Sequence, residues 1–174
     1  MRTLGLIAAL LLMGTLPAHA QWWELPVVLQ APHEEEIQIE RDLVYKMGEG
    51  KALRMDVYRP IDAVDPLPAV VFVHGGPVGT LPIEVKNAPP YESWGRLAAG
   101  HGMAGVTFTH GFSAVEEMGK ASQDIMDAVR FLQDNAVGLG VDPSKVCIWA
   151  SSGAGSLIGP LLEANPDYLK CWVL

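Results

Sequence analysis

The sequence predicts an α/β fold, a three-layer sandwich in which helices cover both faces of a mostly parallel sheet. The first observation is a set of apolar runs without alternation, such as residues 69–73, which are typical of strands buried on both faces. The second is helical periodicity between these runs, clearest over 122–135, where Ile125, Val129 and Leu132 share one face. The third is their order, because strands that alternate with helices favour parallel pairing.

The first two strands have a different pattern, because apolar and polar residues alternate in them. This alternation covers residues 37–45 and resumes over 53–57, and it is typical of half-buried strands. Glycines at 48 and 50 predict a turn between them. We therefore expect an N-terminal antiparallel hairpin at one edge of the sheet.

The remaining elements follow the apolar strand at 69–73. They are predicted in this order: a helix over 92–99 that ends at Gly100, a strand over 104–108, a helix over 122–135, a turn at 141–143, a strand over 146–150, a helix over 154–164 and a strand that begins at 171. The sequence contains no internal repeat and no linker between domains.

The first twenty residues have the pattern of a secretory signal peptide. Arg2 precedes an apolar stretch that ends in A-H-A at 18–20, a typical cleavage site. The stretch is shorter than the roughly 20 apolar residues of a spanning helix, although an uncleaved N-terminal anchor is the alternative. We expect a signal peptide at 1–20, an N-terminal arm at 21–36 and a domain at 37–174, in a secreted or periplasmic protein without a membrane partner after cleavage.

Charge and cysteine content narrow the class of protein. After position 20 the chain has 11 basic and 20 acidic residues, a formal charge of −9, which argues against nucleic acid as a partner.

Cys147 and Cys171 both lie in apolar runs. Export would permit a disulfide between them. We expect two buried thiols instead, since buried cysteine behaves as a small hydrophobe. We expect no metal site, because neither cysteine has a second cysteine or a histidine at ligand spacing. We also expect no cofactor, since residues 48–51 lack the spacing and the Ser or Thr of a phosphate loop.

The segment around Ser152 predicts a serine nucleophile. The apolar run at 146–150 breaks into small residues, as a buried strand does when it turns sharply into a helix with a serine at the bend. Such a turn requires small residues two positions before and after the serine, and Ala150 and Ala154 satisfy this. A motif centred on Ser151 would place Trp149 there instead. An ordinary helix cap after a core strand is the alternative interpretation.

A second loop, H-G-G-P at 74–77, predicts donors for an oxyanion. Its glycines allow backbone N–H groups to approach a substrate carbonyl closely, whereas Pro77 has no N–H to donate. The N–H of Gly153, directly after the serine, is a further candidate donor. We therefore expect Gly75, Gly76 and Gly153 to form an oxyanion hole.

The pair of motifs resembles the α/β-hydrolase family, in which an H-G-G loop faces a nucleophile elbow. The resemblance covers about residues 43–174 and is closest to the esterase, lipase and acyl-peptidase-like branches. It implies an incomplete α/β-hydrolase fold with Ser152 as the nucleophile. The sequence departs from the family pattern at Ala150 and Ala154, where glycines are usual, and at Pro77.

The resemblance also implies a triad in the order serine, acid, histidine. After Ser152 the acidic residues are Glu163 and Asp167, of which the latter comes too early for the family's acid, and no histidine follows. We expect His74 to brace its own loop. His110 ends a strand near the same sheet edge; it either approaches the site or, as we expect, is a solvated loop histidine.

These residues leave two functions open. The first is a serine hydrolase for a small-molecule carboxylic ester or acyl substrate, weak or inactive because the chain holds only the front part of the enzyme. The second is a non-catalytic degenerate fragment or binding domain. The H-G-G-P variant also resembles some peptidase branches, so a peptidase activity is a further alternative.

Residues 77–90 either line an acyl or leaving-group pocket or form a plain surface loop. An uncovered strand at 171–174 predicts poor solubility.

Overall fold

A computed structural model describes residues 22–48, 50–79 and 81–174 of the chain. The signal peptide predicted at 1–20 lies outside the described residues. The described strands form one six-stranded sheet. In chain order they are β1 (Ile37–Gly48), β2 (Lys51–Pro60), β3 (Leu67–Val73), β4 (Ala104–Phe108), β5 (Val141–Ala150) and β6 (Leu169–Val173).

Five α-helices are described along the same chain. They are α1 (Pro89–Gly100), α2 (Met118–Asp134), α3 (Ala136–Leu139), α4 (Ala154–Leu157) and α5 (Gly159–Ala164). Short 3₁₀ turns occur at Trp22–Glu24, Glu34–Glu36, Val85–Asn87 and Val115–Glu117. Within the described ranges, no helix combines the length and the apolar character needed to cross a membrane.

The strand order β1-β2-β4-β3-β5-β6 confirms the predicted α/β architecture. The N-terminal hairpin is antiparallel, with Ile37 opposite Pro60 at one end, and β2 continues into the sheet by antiparallel pairing with β4. From β4 to β6 the neighbouring strands are parallel. All five residues of β4 are buried, as a strand covered on both faces requires.

Two apolar clusters occupy the two faces of the sheet. The larger cluster contains the predicted apolar stripe of α2, Ile125, Val129 and Leu132, all fully buried. The smaller cluster places Tyr91 of α1 against Phe72 of β3. The sheet is therefore the middle layer of a three-layer sandwich, as predicted.

Several element boundaries differ from the prediction, and two of these differences have identifiable reasons. The predicted turn at 141–143 is part of β5, because Val141 already pairs with Leu67 before a bulge carries the chain to Val146. The single helix predicted over 154–164 is two helices separated at Ile158. Pro160 has no N–H for the hydrogen bond that would join them.

The two cysteines form a disulfide, so the prediction of two free thiols is wrong. Cys147 on β5 and Cys171 on β6 are direct register partners, with their Cα atoms 4.7 Å apart. Partners in adjacent strands project from the same side of the sheet, which brings the sulfur atoms together. Cys171 is exposed rather than buried. The disulfide therefore joins the edge strand to the strand that leads into Ser152.

We predict that removal of this disulfide lowers the stability of the protein. The bond closes a loop across 24 positions, for which the chain-entropy relation gives about 3 kcal/mol. Urea unfolding of Cys171→Ser should show a loss of this size, and reduced wild type should match the variant. Unchanged unfolding of both would contradict the disulfide.

We also predict that the isolated chain associates through β6. This strand is the edge of the sheet, and Trp172 and Val173 are each 49% exposed on it. Analytical ultracentrifugation should show self-association that Trp172→Lys reduces, because a charged side chain disfavours edge pairing. A monomeric wild-type sample with a sharp, cooperative thermal transition would refute this prediction.

Candidate active site

Ser152 lies at a sharp turn between the end of β5 and the start of α4. Its φ angle is +54°, in the left-handed region that residues other than glycine seldom adopt. The preceding residue still continues the sheet, since the Ser151 N–H donates to the Val73 carbonyl at 3.2 Å. Two residues later the helix has begun, and the Ala154 N–H donates back to the Ser151 carbonyl. The Ser152 side chain is exposed at this bend.

The residues on either side of the turn explain why the sequence needs small side chains there. Ala150 and Ala154 are both buried, at 4% and 0% exposure, inside the larger apolar cluster. A larger residue at either position would have to displace packed core atoms. The two alanines therefore allow the turn, even though the family pattern usually has glycine at these positions.

The H-G-G-P loop lies directly against this turn. A Cβ atom placed on Gly75 would lie 2.8 Å from the Ser151 carbonyl oxygen and 2.9 Å from the Gly153 nitrogen. Both atoms belong to the backbone and cannot move aside without disturbing the turn, so only glycine fits at position 75. The structure thus brings together the two segments that the sequence singles out.

The backbone donors predicted for an oxyanion lie on both sides of this contact. A Cβ atom placed on Gly153 would lie 3.2 Å from the Gly76 carbonyl oxygen and 3.7 Å from the Gly76 nitrogen, so the two residues are close neighbours. Among the residues that the structure describes, neither the Gly76 N–H nor the Gly153 N–H donates a hydrogen bond. These two donors are therefore free beside Ser152, and the third predicted donor, the Gly75 N–H, likewise has no acceptor in the described part of the chain.

A cavity of about 410 Å³ opens next to Ser152. Ser151, Ser152 and the two loop glycines form one side of it. Its other walls are apolar or aromatic, formed by Trp22, Pro77, Val78, Leu81, Tyr91 and Trp94. The first part of the 77–90 segment therefore lines a pocket, which is one of the two roles considered for it. The cavity combines the Ser152 hydroxyl, free N–H groups and an apolar wall.

Tyr91 supplies a polar group that the sequence analysis missed. Its hydroxyl lies 3.2 Å from the Ser151 hydroxyl, within hydrogen-bonding distance. Burial raises the pKa of Tyr91 to about 12, so its hydroxyl stays protonated at neutral pH. No local pattern marks this residue, because its importance comes from the packing of α1 against the end of β5.

His74 is buried behind the loop, at 1% exposure, and is not among the residues that line the Ser152 cavity. Its Nδ1 lies 2.7 Å from the Gly75 carbonyl oxygen, so the N–H on Nδ1 donates to that carbonyl. Burial, and then the neighbouring His110, lower the pKa of His74 to about 3. The imidazole is therefore neutral and is engaged with its own loop.

His110 is also buried, at 5% exposure, so the expectation of a solvated loop histidine is wrong. Its ring stacks on that of His74 with centroids 3.7 Å apart, and its Nε2–H donates to the His74 carbonyl at 2.9 Å. Burial lowers the pKa of His110 to about 4. The strand end that carries His110 is covered by the packing of the H-G-G-P loop, which the sequence pattern does not reveal.

The acidic residues after Ser152 do not complete a triad in the described part of the chain. Glu163 on α5 and Asp167 before β6 are both exposed, and neither lines the cavity. Elsewhere, His33, Glu35 and Glu36 lie close enough to share a cation, but all three are exposed on the N-terminal arm. The site described here is therefore a serine with donors and a pocket, without an adjacent base.

A buried ion pair, which the sequence analysis also missed, anchors the segment after the glycine loop. Lys86 is 1% exposed, and its Nζ lies 2.9 Å from Asp56, which is fully buried on β2. The same Nζ donates to the side chain of Asn87 and pairs with Asp42. A buried charge requires such partners. The contact ties the Val85–Asn87 turn, and with it one end of the loop, to the sheet.

Solved structures define the class of this fold. Esterase Est22 matches 80% of this chain with a TM-score of 0.64 and 23% sequence identity. Brefeldin A esterase, described as a bacterial homologue of human hormone-sensitive lipase, matches 84% of this chain with a TM-score of 0.63 and 18% identity. Esterase Est2 from the Planctomycetes species Thermogutta terrifontis matches 72% of this chain with a TM-score of 0.54 and 24% identity. The chain spans 44%, 42% and 45% of these proteins. They show the α/β-hydrolase fold.

The family is given by the sequence itself. Residues 55–163 match the BD-FAE family, which is more than half of the chain, and the protein therefore belongs to that family. This span contains the glycine loop and Ser152. No curated protein matches the sequence. The predicted resemblance to the esterase and lipase branch of the α/β-hydrolases is confirmed.

We predict that the stacked histidines make the fold sensitive to acid. In the folded protein the pKa is about 3 for His74 and about 4 for His110, whereas in the unfolded chain it is about 6.5 for both. Between about pH 4 and pH 6.5 the unfolded chain therefore binds more protons than the folded protein. Stability should be unaffected by these residues above about pH 6.5 and should fall as the pH is lowered toward 4. Urea midpoints at pH 7 and pH 4.5 measure this loss.

The matched variants for this experiment are His110→Asn and His101→Asn. The first removes one buried imidazole and should reduce the difference between the two midpoints. The second replaces an exposed histidine and should leave the wild-type difference intact. Equal pH dependence in wild type and His110→Asn would show that the buried pair does not determine acid stability.

Proposed function

We propose that the protein is a serine hydrolase for carboxylic esters, with Ser152 as the nucleophile. The observation that carries this proposal is the left-handed turn at Ser152, held against a glycine loop so closely that Gly75 admits no side chain. A simple helix cap requires neither the strained φ angle nor the contact with a second loop. Backbone strain of this kind is concentrated at functional sites.

In the proposed reaction, the Ser152 hydroxyl oxygen attacks the ester carbonyl and gives up its proton to a base. The carbonyl oxygen gains negative charge and accepts hydrogen bonds from the N–H groups of Gly76 and Gly153. Donors fixed before the reaction stabilise this charge strongly, and loss of one such donor costs about 3 kcal/mol. The alcohol then leaves, and water hydrolyses the acyl-enzyme.

The base is the part of this mechanism that the described residues do not supply. His74 and His110 are buried and neither lines the cavity beside Ser152, so neither is placed to take the Ser152 proton. We infer that the chain holds the N-terminal portion of the hydrolase, in agreement with its 44% coverage of Est22. Alone it would retain the residual rate enhancement of an oxyanion hole and a binding site.

A non-catalytic domain is the second candidate, favoured by the lack of a base beside Ser152 among the described residues. Such a domain would keep the cavity and bind a small ester or acyl compound without turnover. For either function we propose secretion or a periplasmic location. The Cys147–Cys171 disulfide supports export, because disulfides persist in oxidising compartments.

We predict that a fluorophosphonate probe labels the wild-type protein slowly at Ser152 and that Ser152→Ala abolishes the labelling. The free N–H groups favour the anionic phosphonyl transition state, while the missing base limits the rate. Intact-protein mass spectrometry measures the adduct over time. Ser151→Ala is the matched control, since it removes the adjacent hydroxyl and should still be labelled.

The two candidate functions give different outcomes. Labelling that depends on Ser152 alone supports the hydrolase. Absence of labelling in wild type would favour the non-catalytic domain, and equal labelling of wild type and Ser152→Ala would exclude Ser152 as the nucleophile.

A further inference from the structure

We propose that Trp22, on the N-terminal arm, is a specificity-determining residue that selects esters with an extended apolar substituent on the carbonyl. The proposal rests on the proposed function, because it concerns the cavity beside Ser152. It goes further by naming the substrate class and by assigning a role to a segment outside the BD-FAE match, which begins at residue 55.

The arm presents two consecutive tryptophans in different environments. Trp23 is partly buried and packs on the apolar cluster that contains Phe72 and Tyr91. Trp22 stands edge-on to Trp23, with ring centroids 5.6 Å apart, and edge-on to Tyr91 at 6.4 Å, yet it remains 49% exposed. Trp23 therefore anchors the arm on the domain, while Trp22 is held at the cavity with much of its surface uncovered.

The walls of the cavity determine which chemical group fits beside Trp22. Val78 and Leu81 of the glycine-loop segment line the same cavity as Trp22, and Trp94 adds a further aromatic surface. The hydroxyls of Tyr91 and Ser151 lie within hydrogen-bonding distance of each other. The surface that remains for the substituent is apolar, so it favours carbon chains over polar groups.

The volume of the cavity indicates a substituent of several carbons. At about 410 Å³ it lies within the range of pockets that enclose a small organic ligand, and an acetyl group would leave most of it unfilled. Each fully buried methylene increases affinity about fourfold. A chain that extends from the carbonyl at Ser152 along these walls would cover the exposed part of Trp22.

Simple ketones test this proposal without any need for turnover. Octan-2-one and butan-2-one share the ester-like carbonyl, lack a leaving group and differ by four methylenes. We expect wild type to bind octan-2-one at least about tenfold more tightly, since the open cavity buries the chain only in part. Isothermal titration calorimetry or ligand-observed NMR measures the two affinities.

Three variants separate the role of Trp22 from a general effect on the fold. Trp22→Ala should reduce the preference to about threefold or less, and Trp22→Phe should retain most of it. Leu25→Ala is the matched control, because Leu25 lies on the same arm, is 53% exposed and does not line the cavity. It should keep the wild-type preference.

The outcomes distinguish this proposal from the proposed function. A preference that persists in Trp22→Ala, or is absent in wild type, would overturn the role of Trp22 whatever the fluorophosphonate result. A preference that depends on Trp22, combined with unlabelled Ser152, would support apolar recognition and reject the nucleophile.

Discussion

The contact between Gly75 and the turn at 151–153 is the constraint on which the candidate site depends. A Cβ atom on Gly75 would meet backbone atoms of the turn, so the two segments can approach this closely only with glycine at position 75. The contact exists because β3 and β5 are parallel neighbours, with Val73 opposite Ala150. Their carboxyl ends therefore reach the same edge of the sheet, and the loops that follow them meet there. The sheet order thus creates the proximity that the chemistry requires.

Buried polar groups hold the glycine loop from behind. His74 bonds to the loop carbonyl of Gly75, and His110 in turn bonds to the His74 backbone, so the loop is braced by a chain of contacts that begins at the end of β4. On the other side of the segment, Lys86 is paired with Asp56 of the sheet. Breaking one partner of a buried pair is costly, which restricts the loop to one position. The loop beside the site is therefore fixed by polar contacts as well as by the packing of Val78 and Leu81 on the smaller apolar cluster.

The sequence predicted the structural features that depend on local pattern, but it did not predict contacts between residues that are distant in the chain. The strands, the hairpin and the turn at Ser152 could be recognised because alternation, apolar runs and small residues are local signals. The Cys147–Cys171 disulfide could not, since it requires the register of β5 against β6. The burial of His110 and the reach of Trp22 into the cavity likewise arise from packing between distant segments. The separation of α4 from α5, in contrast, could have been predicted from the sequence, because Pro160 is a local signal.

In the proposed hydrolase, substrate recognition and carbonyl polarisation are separate from proton transfer. The apolar walls and the N–H groups of Gly76 and Gly153 belong to the described strands, loops and arm. A base adjusts only the reactivity of the Ser152 oxygen, because it removes the hydroxyl proton and has no part in shaping the cavity. Changes in the walls should therefore alter which esters bind, whereas a base supplied beside Ser152 should alter how fast any bound ester reacts. In the proposed hydrolase, affinity and turnover therefore depend on different groups.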